Sequence, residues 1–71
     1  MFVKIDKKRE YIDIYYNFRD KPDYSIRINE IKNREDFWVN HLSEKRWFNN
    51  SIKEEFIQTL KQLKDQNYLV R

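Results

Sequence analysis

Residues 11–19, Tyr-Ile-Asp-Ile-Tyr-Tyr-Asn-Phe-Arg, alternate strictly between two faces. Ile12, Ile14, Tyr16 and Phe18 fall on one side; Tyr11, Asp13, Tyr15, Asn17 and Arg19 fall on the other. A period of two sustained over this length, in aromatic and β-branched types, predicts a strand with one face on a core and the other toward water. The flanking segments alternate as well. Residues 2–6 set Val3 and Ile5 against Phe2, Lys4 and Asp6. Residues 24–30 put Tyr24, Ile26 and Ile28 inward, with Ser25, Arg27 and Asn29 outward. Residues 11–19 are therefore expected to be the central strand of an antiparallel meander.

Matching the apolar faces limits the register, because a one-residue slip turns a whole strand over. Pairing Ile5 with Ile12 makes Lys7-Lys8-Arg9-Glu10 the first connection. It also sets Val3 opposite Ile14, Phe2 opposite Tyr15, and Lys4 opposite Asp13 as a stabilising charge pair. Asp20-Lys21-Pro22-Asp23 has the chemistry of a turn. Tyr16 is then expected opposite Ile26 or Ile28, which places Arg27 opposite Tyr15 or Asn17, within stacking reach of Tyr15.

The period then changes to helical. Asn33 is the expected N-cap of a helix running to about Lys45, with acids in its first turn and Phe37, Trp38, Val39 and Leu42 on a broad apolar arc. Part of that arc should meet a second helix or stay exposed. Ser51 and Glu54 read as a capping box for the second helix. Ile52, Phe56, Leu60 and Leu63 form its apolar stripe, with Ile57 beside them; Lys53, Glu54, Glu55, Gln58, Lys61 and Gln62 point outward. Asn67 is expected as a left-handed C′ residue, followed by a packed tail or extra strand at 68–70. The expected architecture is α+β, a three-stranded antiparallel meander followed by two helices on one face (β-β-β-α-α), in one small domain spanning residues 1–71.

Composition narrows the sources of stability. A chain of 71 residues buries a modest share of its surface, and with no Cys it has no disulfide or thiolate metal site to help. The remaining expected sources are a dense aromatic core, for which twelve aromatic residues are present, or self-association. Gly, Ala and Cys are absent, and Phe, Tyr, Met, Ile, Asn and Lys make up 35 of 71 residues. Those types have AT-rich codons, which points to a low-GC bacterium or its phages and mobile elements. In size and composition the chain resembles the small proteins such elements encode. The net charge of +3 is spread over a mixed surface, which permits nucleic acid without requiring it. No apolar run suits a membrane span and no leader is evident, so a cytoplasmic location is expected.

Candidate chemistry is sparse. His41 has no convergent partner on its own helix, and no nucleophile–base or paired-carboxylate arrangement can be assembled. The expectation is a non-enzymatic protein without metal or cofactor. Two surfaces suit a partner. The outward sheet face carries Tyr11, Tyr15, Arg19 and Arg27, types enriched at protein interfaces. The interhelix link carries Lys45, Arg46, Trp47 and Phe48, of which one aromatic should plug the core and the other be exposed. A protein partner, such as a host protein modulated by a phage or mobile-element product, suits these surfaces best. The alternative is a nucleic-acid-binding protein that stacks bases on its basic-aromatic surface. Asp13 in mid-face opposes phosphate, and a helix-turn-helix docking would set acids against the backbone. A homodimer would use the broad arc of the first helix, or pair free sheet edges.

Overall fold

The alternating segments form strands, but shorter ones than the pattern allows. In the computed structural model, which describes residues 2–17 and 19–66, β1 is Val3–Asp6, β2 is Tyr11–Ile14 and β3 is Tyr24–Arg27. They make an antiparallel sheet in the order β1-β2-β3, with β2 central. Three helices follow: a single turn α1 (Ile28–Ile31), α2 (Glu35–Ser43) and α3 (Asn50–Asp65). This is the expected α+β arrangement of a meander followed by helices, with α1 as an extra turn. Phe18 and residues 67–71, including the expected C′ residue and tail, lie outside the described residues.

The β1–β2 register is the expected one: Val3 faces Ile14, Lys4 faces Asp13 and Ile5 faces Ile12. The Tyr15 N–H continues the ladder to the Phe2 carbonyl at 2.7 Å. Since Gly is absent, Glu10 itself takes the left-handed conformation (φ 61) at the end of the connecting turn.

β2 stops at Ile14 rather than Arg19, and the β2–β3 pairing moves accordingly. Ile12 faces Ile26 and Ile14 faces Tyr24, so Arg27 lies opposite Tyr11, not Tyr15 or Asn17. The cause is Asp23. Its carboxylate accepts the N–H groups of Tyr16 (2.8 Å) and Asn17 (2.9 Å) and the Asn17 side-chain amide (3.0 Å). Those donors would otherwise extend the ladder, so the connection widens to residues 15–23. The parity of the apolar faces is kept, which is why Ile12, Ile14 and Ile26 are all buried.

β3 also ends early. Ile28 donates to the Glu10 carbonyl at 2.9 Å and the chain then turns into α1. A helical turn buries Ile28 and Ile31 together, which a strand could not do at a spacing of three. Asn33 is not an N-cap: it sits in the left-handed region (φ 65), two residues past α1, while Arg34 precedes α2 without a side-chain cap. α3 is capped by Asn49, whose Oδ1 accepts the Ile52 N–H at 3.0 Å, so the helix starts before the expected Ser51 cap. Asn and Ser are near-equal caps, and local sequence does not rank them.

The α3 stripe behaves as expected. Ile52, Phe56, Leu60 and Leu63 are buried, in one core with Val3, Ile12, Ile14, Ile26, Ile28, Ile31, Leu42 and Phe48. Glu55 departs from its outward assignment. Its Oε1 accepts the N–H groups of Phe2 (2.7 Å) and Val3 (3.0 Å), which fastens the start of β1 to α3. Phe2 accordingly packs against the core instead of standing on the outer face. Buried Thr59 is satisfied by donating its hydroxyl to the Glu55 carbonyl at 2.7 Å. Among the described residues no helix is long and apolar enough to cross a membrane.

Two substitutions check this wiring. Glu55→Ala strips two part-buried backbone N–H groups of their acceptor and should lower unfolding free energy by about 1–3 kcal/mol in urea titration. An unchanged midpoint would contradict the tie. Asp23 titrates below its ordinary value of 3.8, chiefly because the Asn17 N–H stabilises the carboxylate. Its contribution is therefore complete above 3.8 and is lost as pH falls through the lower folded value. The melting temperature of Asp23→Ala should sit below wild type at neutral pH, with the gap closing on acidification. A gap constant with pH would contradict the capping role.

Candidate functional site

Among the described residues the helices pack on the inward side of the sheet, and its outer face is built by the strands themselves. Tyr11 has Asp6 and Arg27 as its cross-strand neighbours. Arg27 donates from Nε to the Tyr11 hydroxyl at 3.1 Å. That contact, helped by the charge of Glu30, raises the already high pKa of the guanidinium. Arg9, folded back from the β1–β2 turn, lies 4.6 Å from the Tyr11 ring centroid. Asp6 holds Arg9 there by accepting its N–H at 3.1 Å and pairing with its guanidinium at 3.7 Å. Tyr11 is thus gripped by two arginines, one at the ring and one at the hydroxyl.

Asp13 occupies the middle of the face and is 5 % exposed. The Ser25 hydroxyl donates to it at 2.7 Å. The expected Lys4–Asp13 ion pair does not form, although the two residues are opposite one another. The Lys4 ammonium lies instead over the Tyr15 ring, 5.1 Å from its centroid. The face is therefore a row of Tyr15, Asp13 and Tyr11 in which each tyrosine is held by a cation and the central carboxylate is covered.

Of the residues expected to meet a partner, Tyr11, Tyr15 and Arg27 come together here. Arg19 does not join them: it lies past the end of β2, exposed, near enough to Asp23 to help lower its pKa. Asn17 is drawn to Asp23, and Asn29 belongs to α1. Lys45, Arg46 and Trp47 are a separate group. Lys45 and Arg46 are exposed, but neither link aromatic is. Phe48 is buried against Phe56, and Trp47 is half-buried, stacked on Tyr16 at 4.5 Å and 13° and tilted against Tyr24 at 5.5 Å. The bend that ends β2 at Ile14 goes with this stack, in which Tyr16 closes one face of Trp47.

Two contributors escaped the sequence reading. Arg9 and Lys4 were a loop cation and one half of a charge pair; both are tyrosine clamps. Arg9 shares parity with Tyr11, two residues on, and that was the available signal. A third aromatic group sits on α2, where Phe37 (55 % exposed) stacks on His41 and both rings meet Trp38 edge-on. Trp38 is anchored by donating from Nε1 to the Glu30 carbonyl at 3.2 Å. Against protein-family models, curated proteins and solved structures, comparison of this chain finds no match.

Proposed function

We propose that this chain is a small non-enzymatic binding protein that engages a protein partner through the outer face of its sheet. The observation that carries the reading is the clamping of Tyr11 between Arg9 and Arg27, with Tyr15 under Lys4. A tyrosine fixed before binding loses little side-chain entropy when a partner covers it. Tyrosine and arginine are also the types that concentrate interface energy. A phage or mobile-element modulator of a host protein fits this design, as its size and AT-rich composition suggest.

The nucleic-acid alternative has less to work with. At the link, Trp47 already stacks on Tyr16, so a base would have to displace a formed contact. On the sheet, Asp6 and Asp13 offset Lys4, Arg9 and Arg27. Lys45 and Arg46 remain as exposed cations without a free aromatic between them.

Capture from a lysate of a low-GC bacterium, with and without nuclease, separates the two. The immobilised wild-type chain should retain a protein whose binding drops by more than about tenfold in Tyr11→Ala/Arg27→Ala, as loss of a hot spot requires. Lys45→Ala/Arg46→Ala should bind as wild type, and all variants should keep the wild-type circular dichroism. Binding that vanishes with nuclease, weakens steeply with salt, or depends on Lys45 and Arg46 would reverse the reading.

A further inference from the structure

We infer that the chain forms a two-fold homodimer by laying its α2–α3 groove against the same groove of a second copy. The groove has a volume of about 400 Å³ and runs between the two helices. Val39 of α2 and Ile57 and Leu60 of α3 form its apolar floor; Val39 and Ile57 are only half-buried. Its two rims carry opposite charge. Glu35 and Asp36 line the α2 side, and Lys61 and Lys64 line the α3 side.

That division is what a two-fold contact needs. An isologous interface pairs residue i of one copy with j of the other, and j with i. With the two-fold axis along the groove, each acidic α2 rim faces the second copy's lysine rim, and the apolar floors meet between them. Any single-signed rim pair would repel under the same operation. Within one chain the rims are only partly used. Glu35 pairs with Lys64 at 3.7 Å, while Asp36 and Lys61 are exposed and form no ion pair among the described residues.

α2 itself points the same way. It has nine residues and a single fully buried one, Leu42. A helix this short draws its stability from packing, not from propensity. Its broad apolar arc divides four ways: Leu42 enters the core, Trp38 leans on α1, Val39 lines the groove, and Phe37 stays exposed beside His41. A second copy over Val39 completes the burial that the described residues of one chain leave unfinished. The tyrosine face lies on the opposite side of the sheet, so a dimer built this way presents two such faces and leaves both open.

Sedimentation equilibrium of the whole chain at about 100 μM, where weak self-association shows, tests this directly. Wild type should sediment as a dimer of the 9.1 kDa chain. Asp36→Lys and Lys61→Asp should each weaken dimerisation by about tenfold or more, because each sets like charges face to face. The double swap, Asp36→Lys with Lys61→Asp, should restore it, since the rims are then opposite again. All three are substitutions of exposed side chains, and circular dichroism should show an unchanged fold. A wild-type monomer at this concentration overturns the inference. So does a dimer that ignores both single reversals, or one that the double swap fails to rescue.

Discussion

Strands of four residues cannot hold themselves together, and the apolar stripe of α3 is what makes a sheet of them. Each strand offers the core only two inward side chains: Val3 and Ile5, Ile12 and Ile14, Tyr24 and Ile26. Such a ribbon is unstable in water until something covers that face. Ile52, Phe56, Leu60 and Leu63 supply the cover from one continuous helix of 16 residues. Glu55, on the flank of the same helix, adds a directional element. By accepting the Phe2 and Val3 N–H groups it fixes where β1 begins relative to α3. β1 and α3 are thereby tied, and neither can leave without disturbing the other.

The outer face inherits its order from this arrangement. Tyr11 and Asp13 stand on β2, the strand flanked on both sides, and Tyr15 follows it directly, its N–H bonded to the Phe2 carbonyl, so their spacing is set by the sheet. The cations that grip the tyrosines come from each neighbour: Lys4 from β1, Arg9 from the turn after it, Arg27 from β3. A slip of β1 against β2 would break the Lys4 and Arg9 contacts, and a slip of β3 the Arg27 contact. The burial that fixes the register is on the inner face, where Ile12 meets Ile5 and Ile26. Packing on one side thus dictates chemistry on the other.

The β-β-β-α-α plan, the β1–β2 register and the α3 stripe were all legible, because each rests on periodicity repeated over several residues. What escaped depends on single side chains choosing among near-equal partners. Asp23 could have closed its own turn; it reaches back instead to the backbone of residues 16 and 17 and ends β2 early. Asn33 and Asn49 are both credible helix starters. One ends α1 in a left-handed conformation and the other caps α3, and the choice follows from where Ile31 and Ile52 must enter the core. Lys4 had two partners within reach, a carboxylate across the ladder to which Ser25 donates and an aromatic ring, and it takes the ring. The site was half visible for the same reason. Alternation placed Tyr11, Tyr15 and Arg27 on one face, whereas the clamps, and the loss of Arg19 and Trp47 to other tasks, are matters of tertiary contact.

The dependence of the sheet on α3 is the claim on which the rest stands, and native-state hydrogen exchange addresses it residue by residue. The amides of Ile12, Asp13 and Ile26 should open with the same free energy as those of Phe56 and Leu60 in α3, and the two sets should fall together as urea is added. Sheet amides that exchange through a lower-energy opening, with α3 still protected, would contradict the account and leave the tyrosine face without its fixed support.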